Sequence, residues 1–283
     1  MEAGTSARAT AAAMVLAGVL AGMAGCSSSR AEEDSAPRTS PSGSTSDPID
    51  AAPAPAPRPT RYQPDPAEID GAAKRAAARA VEALPDVRQV TYTQYFGYLP
   101  PAASILVEAD LEDGGGTTYD VQISQAPGGW RVDSVTAAAP VPPLQDPGPL
   151  IRHVLSSDRI TLPWAGRDDV AAGLVSDAVL RSMLEVAEQH RIGISVLISA
   201  HPVHVFGTDR RSNHPDGLAY DIGSIDGRLV VDPGAAGVVR QVMRIAAGTG
   251  ASQVGGPDDL DDGGSQYFSD PTHSDHVHVG FNG

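Results

Sequence analysis

Beyond about residue 65 the chain switches between two hydrophobic periods, and proline and glycine mark the changes. Asp65-Pro66-Ala67-Glu68 combines an Asp cap, a Pro at the first helical position and an early Glu, all helix-start signals. Ile69, Ala72, Ala73, Ala76, Ala80 and Leu84 then recur on one helical face, predicting a helix that ends near Leu84-Pro85. Four strand-like stretches follow, over Gln89–Gly97, Ala102–Leu111, Thr117–Gln125 and Gly129–Val135. Pro100-Pro101, Gly114-Gly115-Gly116 and Pro127-Gly128-Gly129 separate them. The pattern predicts a helix laid across an antiparallel meander.

Prolines from Pro140 to Pro149 predict a boundary between two domains. After it, Ser176-Asp177 opens a helix with Val179, Leu180, Met183, Leu184 and Ala187 at helical spacing, closing on His190 and Arg191. Ile192–Ser199 reads as a buried strand, and Leu218–Ile222 as another. Asp232-Pro233 starts a further helix with Val239, Val242, Met243 and Ala246 on its apolar face and Gly248 as its stop. His276–Phe281 is the last strand. A few helices with a small antiparallel sheet make this an α+β domain. The predicted organisation is 65–139 as a small α+β spacer or docking domain, 140–149 as a linker and 150–283 as the domain that carries chemistry.

The first 64 residues have a different character. Ala11 to Ala24 is a short apolar run shaped like a secretory signal, ending at Met23-Ala24-Gly25-Cys26. Small residues before a cysteine resemble a bacterial lipoprotein signal, which implies removal of 1–25 and lipidation of Cys26 at the outer face of the cell membrane. Residues 26–64 are rich in Ser, Pro, Thr and Ala and have too little apolar surface to form a core, so they read as a tether. Such a tether would hold its cargo on the order of tens of Å from the anchor.

Composition narrows the function. Acidic residues outnumber basic ones 35 to 20 in the 283-residue chain, a formal net charge of −15, and no basic run offsets that field, so a nucleic-acid partner is excluded. The single cysteine rules out internal disulfides and leaves only nitrogen and oxygen ligands for a metal.

All but His153 of the eight histidines lie at or beyond residue 190, and four fall in two short phrases. These are Ser212-Asn-His214-Pro-Asp-Gly217-Leu-Ala219-Tyr-Asp221 and His273-Ser-Asp-His276-Val-His278. Two imidazoles and one carboxylate form the three-ligand set of a catalytic zinc, with a fourth position open. In a strand, the alternation of His276 and His278 with Val277, Val279 and Phe281 puts both imidazoles on one face.

The two phrases, in this order, are similar to those of the D-alanyl-D-alanine metallopeptidase, lysostaphin and hedgehog group of zinc proteins. The spacing His273-x-x-His276-x-His278 looks most like that of penicillin-insensitive murein endopeptidases. The resemblance covers about the last third of the chain. It implies a hedgehog/DD-peptidase-like domain, His214, Asp221 and His278 as zinc ligands, and His276 acting on the substrate oxyanion or as proton carrier. It also implies peptidoglycan stem peptides as substrate, cut at an amide next to a D-amino acid. The first domain weakly resembles cystatin-like or nuclear-transport-factor-like α+β modules.

Carboxypeptidases of the group carry a glutamate base shortly before the last ligand, but no Glu follows Asp221 here. The proton work therefore falls to His273, His276 or Asp275, and histidine's ordinary pKa suits it. Ser212 reads as a hydrogen-bond support for His214, Arg210 and Arg211 as a clamp for a peptide carboxylate, and His201 as a cleft residue. A wall-binding or scaffolding lipoprotein that keeps the fold without turnover is the alternative to a peptidase.

Overall fold

A computed structural model describes residues 61–283, so the signal segment, Cys26 and nearly all of the tether lie outside the described residues. The first sheet is a meander, β1 (Val87–Leu99), β2 (Ala102–Leu111), β3 (Gly116–Ala126) and β4 (Gly129–Ala137), every pair antiparallel. These strands match the four expected from period-two patterning: β2 has the expected bounds, and β1, β3 and β4 are each longer by two to four residues.

The helix across this sheet, α1 (Gly71–Glu82), starts later than Asp65. Asp65 caps only one turn, receiving the Ala67 amide at 2.8 Å. Asp70 is the effective cap: its Oδ1 accepts from the Ala73 amide and its Oδ2 from Trp130 Nε1 at 2.8 Å. The buried face also differs from the expected one, comprising Ala73, Lys74, Ala77, Ala78 and Val81, whereas Ala72 is exposed and Ala76 and Ala80 are only half-buried. Alanine is compatible with either face, so the placement is decided by Val81 and by what Lys74 meets.

The second sheet has seven strands in the order β10-β9-β11-β7-β6-β5, with β8 on β7. Its members are β5 (Ile160–Thr161), β6 (Ile192–Val196), β7 (Ala219–Ile225), β8 (Arg228–Leu229), β9 (Gln253–Gly255), β10 (Tyr267–Phe268) and β11 (Val277–Gly280). This corrects the expectation of a small antiparallel sheet, because β5 pairs parallel to β6 and β10 parallel to β9. Both parallel strands are two residues long, too short to leave a periodic signal. The helices α2 (Pro149–Ser156), α3 (Trp164–Ala171), α4 (Asp177–Gln189) and α5 (Ala236–Gly248) complete a mixed α+β fold. Helix α4 is capped by Ser176, as its sequence predicts, and α5 follows a short turn capped by Asp232.

One side of the second sheet contributes Tyr220, Ile222, Val277 and Val279 to a core shared with Val179, Leu180, Met183, Val239 and Met243. The first sheet has its own core beneath α1, built on Tyr95, Ile105, Val107, Val121 and Ile123. A third cluster, Phe96 and Leu106 with Val196, joins the two sheets. The meander therefore has α1 on one side and the second sheet on the other. Strand β1 is buried without a break from Thr93 to Gly97 because both of its faces are covered.

Candidate metal centre

The two histidine phrases converge where β7 and β11 run side by side. In this antiparallel pair His278 stands directly opposite Asp221. Their neighbours Tyr220, Ile222, Val277 and Val279 face the core, so strand alternation turns His278 and Asp221 to the other side. His214 arrives from a three-residue helical turn, His214–Asp216, closed by Gly217 at φ 69°. A Cβ on Gly217 would lie 2.3 Å from the Leu174 carbonyl oxygen, so only glycine allows this return.

His214 Nε2, His278 Nδ1 and Asp221 Oδ1 form a tight triangle with sides of 3.1, 3.0 and 3.2 Å. All three residues are buried, and together they form a group able to hold a metal ion. Tetrahedral bonds of about 2.0–2.2 Å put neighbouring donors roughly 3.3–3.5 Å apart, so a spread of a few tenths of an ångström seats an ion. The tautomer also fits. His214 Nδ1 donates to the Leu197 carbonyl at 2.7 Å, which leaves Nε2 to present its lone pair. Burial drives His278 down to about pKa 4, only partly opposed by Asp221, so it stays neutral as a ligand must. Burial alone would raise Asp221, but His214 and His276 and the imidazole hydrogen bonds outweigh it and hold the carboxyl well below its usual range.

His276 lies beside this triangle. Its Nδ1 donates to Asp275 Oδ1 at 2.6 Å, and its Nε2 is 3.6 Å from Asp221 Oδ2. The remaining Asp275 oxygen accepts from the Tyr95 amide at 3.0 Å and from Lys74 Nζ at 2.5 Å. His273 is partly exposed, donates from Nδ1 to Asp270 Oδ1 at 2.8 Å, and packs edge-on against Phe268 and 5.0 Å from the His276 ring.

A cleft of about 600 Å³ opens over His214, Asp221, His273, His276 and His278. Tyr98 and Leu99 of β1, Pro100 of the turn after it, Phe206 of the loop between β6 and β7, and Phe268 of β10 line its sides. His201 stacks on His214 with ring centroids 4.3 Å apart, and burial together with His214 keeps it neutral. Arg210 borders the cleft, whereas Arg211 is outside its lining and gives three hydrogen bonds, from Nε and Nη2, to Asp216. Ser212 is buried and its Oγ accepts from the His214 amide at 3.4 Å. The acidic run near Asp261 turns inward on itself, with Asp261 Oδ2 receiving the Gln266 and Tyr267 amides.

Sequence reasoning missed two residues. Gln94 of β1 donates from Nε2 to Asp221 Oδ2 at 2.8 Å, and Lys74 of α1 reaches Asp275. The segment expected to carry no chemistry thus supplies contacts to both carboxylates of the centre. The chain matches no protein-family model, no curated protein and no solved structure.

Proposed function

We propose that the chain is an exported, lipid-anchored zinc peptidase that hydrolyses a peptidoglycan amide next to a D-amino acid. The buried triangle of His214, Asp221 and His278 at the floor of an open cleft carries this reading. Two imidazole nitrogens and one carboxylate oxygen suit zinc among common ions, and His276 and His273 beside the triangle supply proton chemistry. The choice of peptidoglycan rests on the resemblance of the two motifs to murein peptidases and on the lipoprotein-like start.

A zinc ion held by these three residues would supply Lewis acidity to a scissile carbonyl and activate water at its open position. The protein groups have separate tasks. Asp275 accepts the His276 Nδ1 proton, which turns Nε2 toward the triangle, and Asp221 and Asp275 together outweigh burial and favour the imidazolium, whose Nε2–H can donate to a developing oxyanion. Asp275 is itself fully engaged and acts by orienting His276 rather than by taking a proton from water. His273, with Nδ1 given to Asp270, keeps Nε2 for proton transfer at the cleft. The aromatic and aliphatic sides of the cleft exclude water around an extended peptide.

The test is a mass-spectrometric digest of cross-linked and uncross-linked muropeptides with the zinc-loaded protein beside a chelated control. Chelator-sensitive products are expected, and the mass lost identifies the bond. No product from a folded, zinc-containing protein would shift the reading to a wall-binding or scaffolding lipoprotein.

A further inference from the structure

Lys74 is the only lysine in the chain, all other basic side chains being arginine, and its side chain is completely buried. A buried ammonium is unfavourable unless it is paired, so its surroundings explain its presence. Nζ lies 2.5 Å from Asp275 Oδ2 and 2.5 Å from Glu68 Oε2, and 4.9 Å from the centre of the Tyr95 ring. The two carboxylates are not equivalent. Glu68 Oε2 receives no well-directed hydrogen bond, and burial pushes the Glu68 carboxyl up to about 7 despite Lys74. Asp275 is held below its ordinary range, with Lys74 and His276 outweighing the cost of burial. Lys74 pairs with both carboxylates, and Asp275 is the one that also touches His276.

The geometry continues to the chemistry. Lys74 and the Tyr95 amide saturate one Asp275 oxygen, which leaves the other to take the His276 Nδ1 proton at 2.6 Å. Without the ammonium, Asp275 would keep only the Tyr95 amide and His276 as partners, and its hold on the His276 ring plane and tautomer would weaken. We propose that Lys74 is a positioning residue for His276, acting through Asp275, so that the N-terminal α+β module is half of the working site. The catalytic part of this inference rests on the hydrolase reading above; the positioning part does not.

Lys74→Met alone leaves two buried carboxylates without their cation, so the informative variant adds Glu68→Gln in the full chain, which leaves Asp275 as the single carboxylate, held by the Tyr95 amide and His276. With zinc content and thermal unfolding as controls, kcat on cross-linked muropeptides is expected to fall about 10–100-fold with KM little changed. The His276 imidazole ¹⁵N signals should shift in the same variant. A folded, zinc-replete double variant with parental kcat and unmoved His276 signals would overturn the proposal. If the parent itself releases no product, the hydrolase reading fails, and the His276 signals alone still decide whether Lys74 positions the ring. A separate measurement needs no variant: in the folded parent, the lone lysine should resist acetylation. Acetylation at the rate of a free amine would place it outside the site and refute the assignment.

Discussion

His278 and Asp221 occupy the same register position of adjacent antiparallel strands, and their side chains meet at 3.0 Å beneath His214. A ligand pair opposed across a sheet ladder is rigid before any ion arrives, since moving either residue means breaking strand pairing. Metal bound to such a preformed site stabilises the folded state by mass action, by about 3–4 kcal/mol at 100–1,000 times Kd. His278→Ala should therefore lose zinc by metal analysis, and its melting temperature should no longer respond to chelator, whereas that of the parent drops. A variant with unaltered zinc content would remove His278 from the ligand set.

His276 should behave in the opposite way. It touches Asp275 and approaches Asp221, but it is not a member of the ligand triangle. His276→Ala should keep zinc and lose turnover by roughly 10²–10³-fold, the range expected for loss of one oxyanion donor. Unchanged turnover in a zinc-replete variant would take His276 out of the mechanism.

The grouping of His214, Asp221 and His278 is what the resemblance of the two phrases implies, and strand periodicity adds only the side that His278 faces. Alternation fixes which side of a strand a residue faces, and Val277-His278-Val279 states it openly, whereas His276 lies in the bend just before β11. Lys74 was harder to place. It lies on the same helical face as Ala77, Ala78 and Val81, a signal present in the sequence, but the many alanines nearby let another face look equally apolar. Gln94 was illegible for a different reason. It stands in a strand covered on both sides, so no polar alternation remains to mark the side that meets Asp221. The two-residue strands at the sheet edges left no pattern at all.

Glu108 of β2 gives the fold a pH dependence. It is buried where the two sheets meet, accepts from Thr118 Oγ1 and from the Trp164 amide at 2.6 Å each, and burial raises its carboxyl to about 7. An acid whose folded pKa lies above its unfolded value costs nothing below the unfolded value, here 4.5. It destabilises progressively as pH rises toward 7, by up to roughly 3 kcal/mol. Glu108→Gln, which keeps both neighbours hydrogen-bonded, should be close to the parent in urea unfolding at pH 5 and gain on it steadily to pH 8. A stability difference independent of pH would show that Glu108 does not titrate in this range.

The first sheet meets the second sheet and α3 through aromatic side chains lying against bare backbone. A Cβ on Gly223 would come within 2.5 Å of Tyr92 Oη, and one on Gly116 within 1.9 Å of Trp164 Nε1. Alanine at either position should cost about 1–3 kcal/mol by overpacking. Only one of them should reach the metal centre. Tyr92 Oη donates to Gln94 Oε1 at 3.2 Å, and Gln94 in turn holds Asp221, whereas Trp164 bonds to Glu108 and Asp110 at a distance from the ligands. Gly223→Ala should thus weaken zinc binding about tenfold or more in a competition titration, in line with the effect of disturbing partners of a ligand. Gly116→Ala should lose stability while its zinc affinity stays parental. Equal zinc affinities in the two variants would mean that the Tyr92–Gln94–Asp221 chain does not transmit the strain.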